Sequence, residues 1–70
     1  MQYTVIIEES EHSFGAYVPD LPGCVAVAET KVEVIELIHE AIEFHLEGMK
    51  EQGLEIPLPS STSELVDVAA

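Results

Sequence analysis

The chain has no arginine and only two lysines against fourteen acidic residues, so its formal net charge is −12. That scarcity of cations excludes most polyanion chemistry. Holding a nucleic-acid backbone takes several Lys or Arg side chains that release condensed counterions, so nucleic-acid binding is not expected. An anionic membrane surface would repel the same charge. Cysteine is also scarce: Cys24 stands alone, so it forms no internal disulfide and suits a reducing compartment. The start of the chain has no positively charged stretch followed by an apolar run, and no lipidation signal is visible at either end. No stretch is long and apolar enough to span a membrane. A cytoplasmic protein is expected.

What is present is a compact amount of apolar sequence. Seventy residues at 47% hydrophobic are too apolar for a disordered segment and too few for two cores, so residues 1–70 read as one domain. A chain of this size buries only about 60% of its unfolded surface. Domains this small usually add disulfides, a metal or a partner chain. Without an internal disulfide or an evident metal cage, association is the favoured route to stability, and a homo-oligomer is expected.

Periodicity gives the elements. Gln2–Glu9 reads as a strand, with Tyr3, Val5 and Ile7 alternating with Thr4, Ile6 and Glu8. A polar turn leads to Phe14–Val18, where Phe14, Ala16 and Val18 share one face, and the two strands form an antiparallel hairpin. Pro19-Asp20-Leu21-Pro22-Gly23 breaks the pattern. Cys24–Ala28 resumes as a third strand of small apolar residues, suited to cover on both sides or to a place inside an oligomer. Thr30-Lys31-Val32-Glu33 fits a capping box that opens a helix running to about Gln52, with Gly53 just past its end. Val34, Ile35, Ile38, Ala41, Ile42, His45 and Met49 form its apolar stripe, widened by Leu37, Phe44 and Leu46. Pro57 and Pro59 make the following segment a connector, and Glu64–Ala69 reads as a last strand. The expected fold is α+β, in the order β-β-β-α-β, an antiparallel sheet covered by one helix.

Catalytic and metal chemistry find little support. His39 and His45 are six residues apart, whereas a helical metal pair needs a spacing of three or four. His12 falls in a turn, and a structural zinc site lacks thiolates. Cys24 opens an apolar strand with no base beside it, which suits a small buried hydrophobe better than a nucleophile. No glycine-rich phosphate loop is present. Neither a cofactor nor an enzymatic activity is expected.

The acids are patterned. Glu33, Glu36, Glu40, Glu43, Glu47 and Glu51 step by three and four along one side of the helix, with only Lys50 near them. Like charges at these spacings cost a few tenths of a kcal/mol per pair. The stripe is either a solvated helix back or a docking face for a basic protein. Glu36, Glu40, Glu43 and Glu47 are its candidate partner-binding residues.

The run Phe14-Gly15-Ala16-Tyr17-Val18-Pro19-Asp20-Leu21-Pro22-Gly23-Cys24 resembles the signature of the HicB family of type II antitoxins. Glu40-Ala41-Ile42-Glu43-Phe44-His45-Leu46 resembles that family's helix, and Gly53 with Ile56-Pro57-Leu58-Pro59 its exit from the helix. The resemblance implies a partial ribonuclease-H-like fold. It also implies binding to a small basic HicA toxin, an mRNA interferase whose catalytic histidine the antitoxin masks. Longer members of the family carry a C-terminal DNA-binding segment. No basic residue follows Lys50 here, so operator binding is not expected. The alternative is a solitary homo-oligomeric HicB-like adaptor with no toxin partner.

Overall fold

The computed structural model of the protein describes residues 1–69. Three strands, β1 (Ile6–Glu9), β2 (Phe14–Tyr17) and β3 (Val25–Ala28), precede one long helix, α1 (Lys31–Glu51). The sheet is a meander in the order β1-β2-β3, antiparallel throughout. Pairing sets the rows of side chains. Ile7, Ala16 and Ala26 share one face, as do Glu9, Phe14 and Ala28. Ile6, Tyr17 and Val25 form a row on the other face, beside Glu8, Gly15 and Val27.

The helix lies over β2 and β3 and covers the first of these faces. Val34 and Ile38 of α1 are buried against Ala16, Val18, Leu21 and Cys24. Tyr3, Val5, Ile7, Phe14, Ala41, Ile42 and Leu46 pack around that core. The helical period explains the selection. Val34 and Ile38 are one turn apart and point the same way, and Ala41, Ile42 and His45 continue the line.

Both helix ends are specified locally. The Thr30 hydroxyl accepts the Glu33 N–H at 3.1 Å and donates to the Glu33 carboxylate at 3.1 Å. The reciprocal half of the expected box thus runs to the Thr30 side chain. At the far end the Leu54 N–H reaches the Met49 carbonyl (2.9 Å) and the Gly53 N–H the Lys50 carbonyl (3.1 Å). With Gly53 at φ +71°, this is a Schellman termination.

Between β2 and β3 the chain turns through Pro19–Gly23. The turn is closed by Val18 N–H to Cys24 carbonyl (3.2 Å), Leu21 N–H to Val18 carbonyl (3.0 Å) and Cys24 N–H to Leu21 carbonyl (3.1 Å). These bonds tuck Leu21 into the core, and Gly23 completes the turn at φ +85°.

Three expectations need correction. The first strand is shorter than Gln2–Glu9: in the β1–β2 register Thr4 would fall opposite Pro19, where β2 has already ended and the chain turns, so residues 3 and 4 have no strand to pair with. Of the two settings expected for Cys24–Ala28, cover on both sides within the chain is not found: Val25 and Val27 are 63% and 68% exposed. The last strand is absent. Residues 54–69 carry no regular structure, and Leu65, Val66 and Val68 are exposed. Pro57 and Pro59 lack the N–H groups a ladder needs. Without a neighbour to pair, the β-branched residues beyond them have no reason to form a strand.

Gly23 provides the test of the turn. A Cβ there meets nothing within 4 Å, so any penalty is conformational. Gly23→Ala should cost about 1–2 kcal/mol and the β-branched Gly23→Val more. Urea unfolding followed by circular dichroism measures both. A valine variant as stable as the parent would show that the turn adapts.

Candidate docking faces and the C-terminal strap

The acidic stripe lies where the helical period puts it. With Val34 and Ile38 facing the sheet, Glu33, Glu36, Glu40, Glu43, Glu47 and Glu51 fall on the opposite side and are all exposed. Glu36, Glu40, Glu43 and Glu47 therefore share one solvent face about three turns long. The one ion-pair contact among the described residues is His39 Nε2 to Glu43 Oε1 at 3.3 Å, between two exposed side chains. The remaining carboxylates of the stripe make no such contact. His12 lies apart in its turn, and His45 is half-buried on the core side of α1. Among the described residues no group of three or more His, Cys, Asp or Glu side chains is placed to hold a metal, and no helix is long and apolar enough to cross a membrane.

The two flanks of α1 differ. Ile35, Ile42 and Leu46 line an open groove of about 980 Å³ that faces Tyr3 and Val5 on the β1 side. Leu37 and Phe44 occupy the other flank, toward β3, and are 42% and 78% exposed. Phe44 stands next to the acidic stripe. On the far side of the sheet Tyr17, Val25 and Val27 are exposed and, with the half-buried Ile6, form an apolar surface with no helix over it among the described residues.

Asp20 has a role that the sequence reading did not find. Its carboxylate accepts four hydrogen bonds from the connector. The backbone N–H groups of Ser60 and Ser61 donate to Oδ2 at 3.0 Å each. Their hydroxyls donate to Oδ1 at 3.0 and 2.8 Å. The Thr4 hydroxyl donates to the Ser61 carbonyl at 2.7 Å, and the Tyr3 hydroxyl to the Pro57 carbonyl. Together these straps fold the connector back across the N-terminal segment and the Pro19–Gly23 turn. Four serine donors stabilise the charged carboxylate, the Ser61 N–H most, and lower the Asp20 pKa from 3.8 to about 2. The signal in the sequence was a lone acid between two prolines and a Ser-Ser pair forty residues on, which no local rule connects.

Cys24 is buried and its thiol pKa is raised by desolvation. That is the opposite of what a nucleophilic thiolate requires. The small-hydrophobe reading of Cys24 agrees with its place in the core.

Two outcomes follow from these groups. Because the folded-state pKa of Asp20 is depressed, its contribution is complete above the unfolded value of 3.8 and is lost as pH falls toward about 2. The Ser60 and Ser61 amide proton shifts should titrate with that low midpoint, and the step should vanish in Asp20→Asn, which also loosens the connector. A midpoint near 3.8 would mean the strap is not formed in solution. The Cys24 thiol should resist a thiol reagent in buffer and react fully in denaturant; rapid labelling of the native protein would contradict its burial.

Comparison with known proteins gives these features a setting. Residues 3–69 match the family profile described as the HicB_like antitoxin of bacterial toxin-antitoxin system. A UPF0150 protein of Thermoplasma acidophilum is 41% identical over 58 residues, covering 81% of this chain and 84% of that protein. An uncharacterised 14.9 kDa protein of Haemophilus phage HP1 is 34% identical over 67 residues; these are 96% of this chain but only 50% of the phage protein. The chain thus spans half the length of that relative. Among solved structures, a chain of the HicA3 and HicB3 toxin-antitoxin complex superposes with a TM-score of 0.71 at 27% identity, over 84% of this chain and 70% of that one. With the three-stranded meander, the single covering helix and nearly every residue aligned, the chain belongs to the HicB-like antitoxin family.

Proposed function

We propose that this protein is an antitoxin-type binding module that neutralises a small basic HicA-like mRNA interferase. The observation that carries the reading is the match to a chain of a toxin–antitoxin complex, at an identity and coverage that extend beyond bare topology. The surface chemistry agrees with it. An enzyme that cuts mRNA must attract a polyanion, so its working surface is basic. The exposed row of Glu36, Glu40, Glu43 and Glu47 offers such a surface a competing line of negative charge, and the net charge of −12 steers the encounter. Phe44, exposed beside the row, supplies the apolar contact that charge alone lacks. On this reading the protein acts by occupancy in the cytoplasm and performs no chemistry. Its one thiol is buried with a raised pKa. With two lysines it leaves nucleic acid and anionic membranes to others.

A second reading has its own support. The exposed apolar face formed by Tyr17, Val25 and Val27 favours a self-associating module, with or without a toxin. The two readings are compatible, since a homo-oligomer can present several acidic stripes.

The test uses a purified HicA-family toxin and this protein with Glu36, Glu40, Glu43 and Glu47 all changed to Gln. The variant should fold normally by circular dichroism, since removing like charges at helical spacing relieves repulsion. Its association rate should fall by about tenfold or more at low salt. Wild-type association should slow as the Debye length shrinks from about 10 Å at 0.1 M to about 3 Å at 1 M salt. A glutamine variant that associates as fast as the parent would make the stripe a solvated helix back.

A further inference from the structure

We infer that two copies of this chain join by pairing their β3 strands antiparallel across a two-fold axis through Ala26. The inference rests on the self-associating reading above and names its surface. The two edges of the sheet are treated differently. β1 carries Glu8 and Glu9, and the residues just before it are strapped by the connector at Tyr3 and Thr4. β3 is Val-Ala-Val-Ala, with no charge and no proline, and among the described residues no strand pairs with its outer side. Proteins normally blunt such an edge with a lysine, a proline or a bulge. None of these devices is present in β3.

The ladder says which groups are free. The Val18 N–H donates to the Cys24 carbonyl. Hydrogen-bonding direction alternates along an antiparallel strand. Cys24, Ala26 and Ala28 therefore turn their backbone groups toward β2, and Val25 and Val27 turn theirs outward. An axis at Ala26 sets Val25 of one copy against Val27 of the other, twice, and satisfies all four outward N–H groups and carbonyls of those valines. The two Ala26 residues then face each other as a non-hydrogen-bonded pair. Across the seam the row Ile6–Tyr17–Val25 continues directly into Val27 of the second copy.

Charge restricts where a second copy can seat. Two chains of net charge −12 can approach closely only where acids are absent, and Cys24–Ala28 is such a stretch. The β3-side flank of α1 adds Leu37 and Phe44 above the seam. Four strand residues a side fall well short of the twenty or so in a stable interface, so the seam needs these side chains and the association is weak, on the micromolar scale. Glu29, directly after β3, and Glu33 and Glu40 on the same side of the helix oppose it.

Sedimentation velocity at tens of micromolar should show a species of twice the 7.6 kDa chain mass, and raising salt from 50 to 500 mM should strengthen it. That salt response is opposite to the one expected for a basic toxin, so the two contacts are separable. Val27→Lys, at an exposed position, should weaken the dimer about tenfold or more without altering the circular dichroism spectrum. In a Cys24→Ala background, Ala26→Cys should oxidise to a covalent dimer, because non-hydrogen-bonded antiparallel partners lie about 4.5 Å apart at Cα, within disulfide range. An Ala28→Cys control should not. A wild type that stays monomeric at every salt concentration would overturn both the self-associating reading and the seam. A dimer that survives Val27→Lys and fails to cross-link at position 26 would overturn the seam alone.

Discussion

Val34 and Ile38 seat one helix on one face of a three-stranded sheet, and every other feature of the molecule is arranged around that contact. The buried core among the described residues is six side chains: Ala16, Val18, Leu21, Cys24, Val34 and Ile38. It contains no polar or charged group, so it has no desolvation debt and also no hydrogen-bond network to fix its geometry. Position has to be specified from outside the core. The Thr30 cap and the Gly53 termination set where the helix starts and stops. The three backbone bonds of the Pro19–Gly23 turn carry Leu21 inward. Asp20, in the same turn, holds Ser60 and Ser61 and so brings the connector back over the N-terminal segment. One short loop thus serves two ends of the chain, with its leucine pointing into the core and its aspartate pointing out.

The elements legible in the sequence were those with a local cause. The helix follows from its 3.6-residue period, its Thr30 cap and Gly53, and it runs from Lys31 to Glu51 much as read. The inner faces of the first two strands follow from alternation, and the hairpin from the polar turn between them. The stripe of glutamates is periodic and lies on the helix back for the same reason that Val34 lies on the sheet. The HicB resemblance, carried by Phe14–Cys24, agrees with the family match across residues 3–69.

What escaped has a cause that is not local. Leu21 sits between two breakers, where burial is not expected, and only the closed turn takes it inside. Asp20 meets Ser60 and Ser61 across forty residues, a pairing that no periodicity encodes. The Glu64–Ala69 segment has the residues of a strand without a neighbour to pair with, and strand formation depends on the partner more than on propensity. The run Cys24–Ala28 was uniformly apolar, which hid its parity. Pairing with β2 resolves it: Ala26 and Ala28 turn inward, and Val25 and Val27 turn out.

That parity matters because it divides the surface into two chemically distinct parts. The helix back carries six carboxylates, while β3 itself carries none and its outer face meets one acid, Glu8 of β1. In a chain with so large a negative charge, an even spread of acids would repel a second copy everywhere and offer a basic partner no preferred site. Six of the fourteen acids line that one helix face, whereas Tyr17, Val25 and Val27 keep the outer side of β2 and β3 apolar. On the readings proposed above, a cationic protein docks on the helix back and a second copy at β3. Phe44 and Leu37 lie on the boundary between the two regions, on the helix flank nearest β3. The fold has one layer of core, and beside it Tyr17, Val25, Val27, Leu37 and Phe44 stay exposed, as do Leu54, Leu58, Leu65, Val66 and Val68 after the helix.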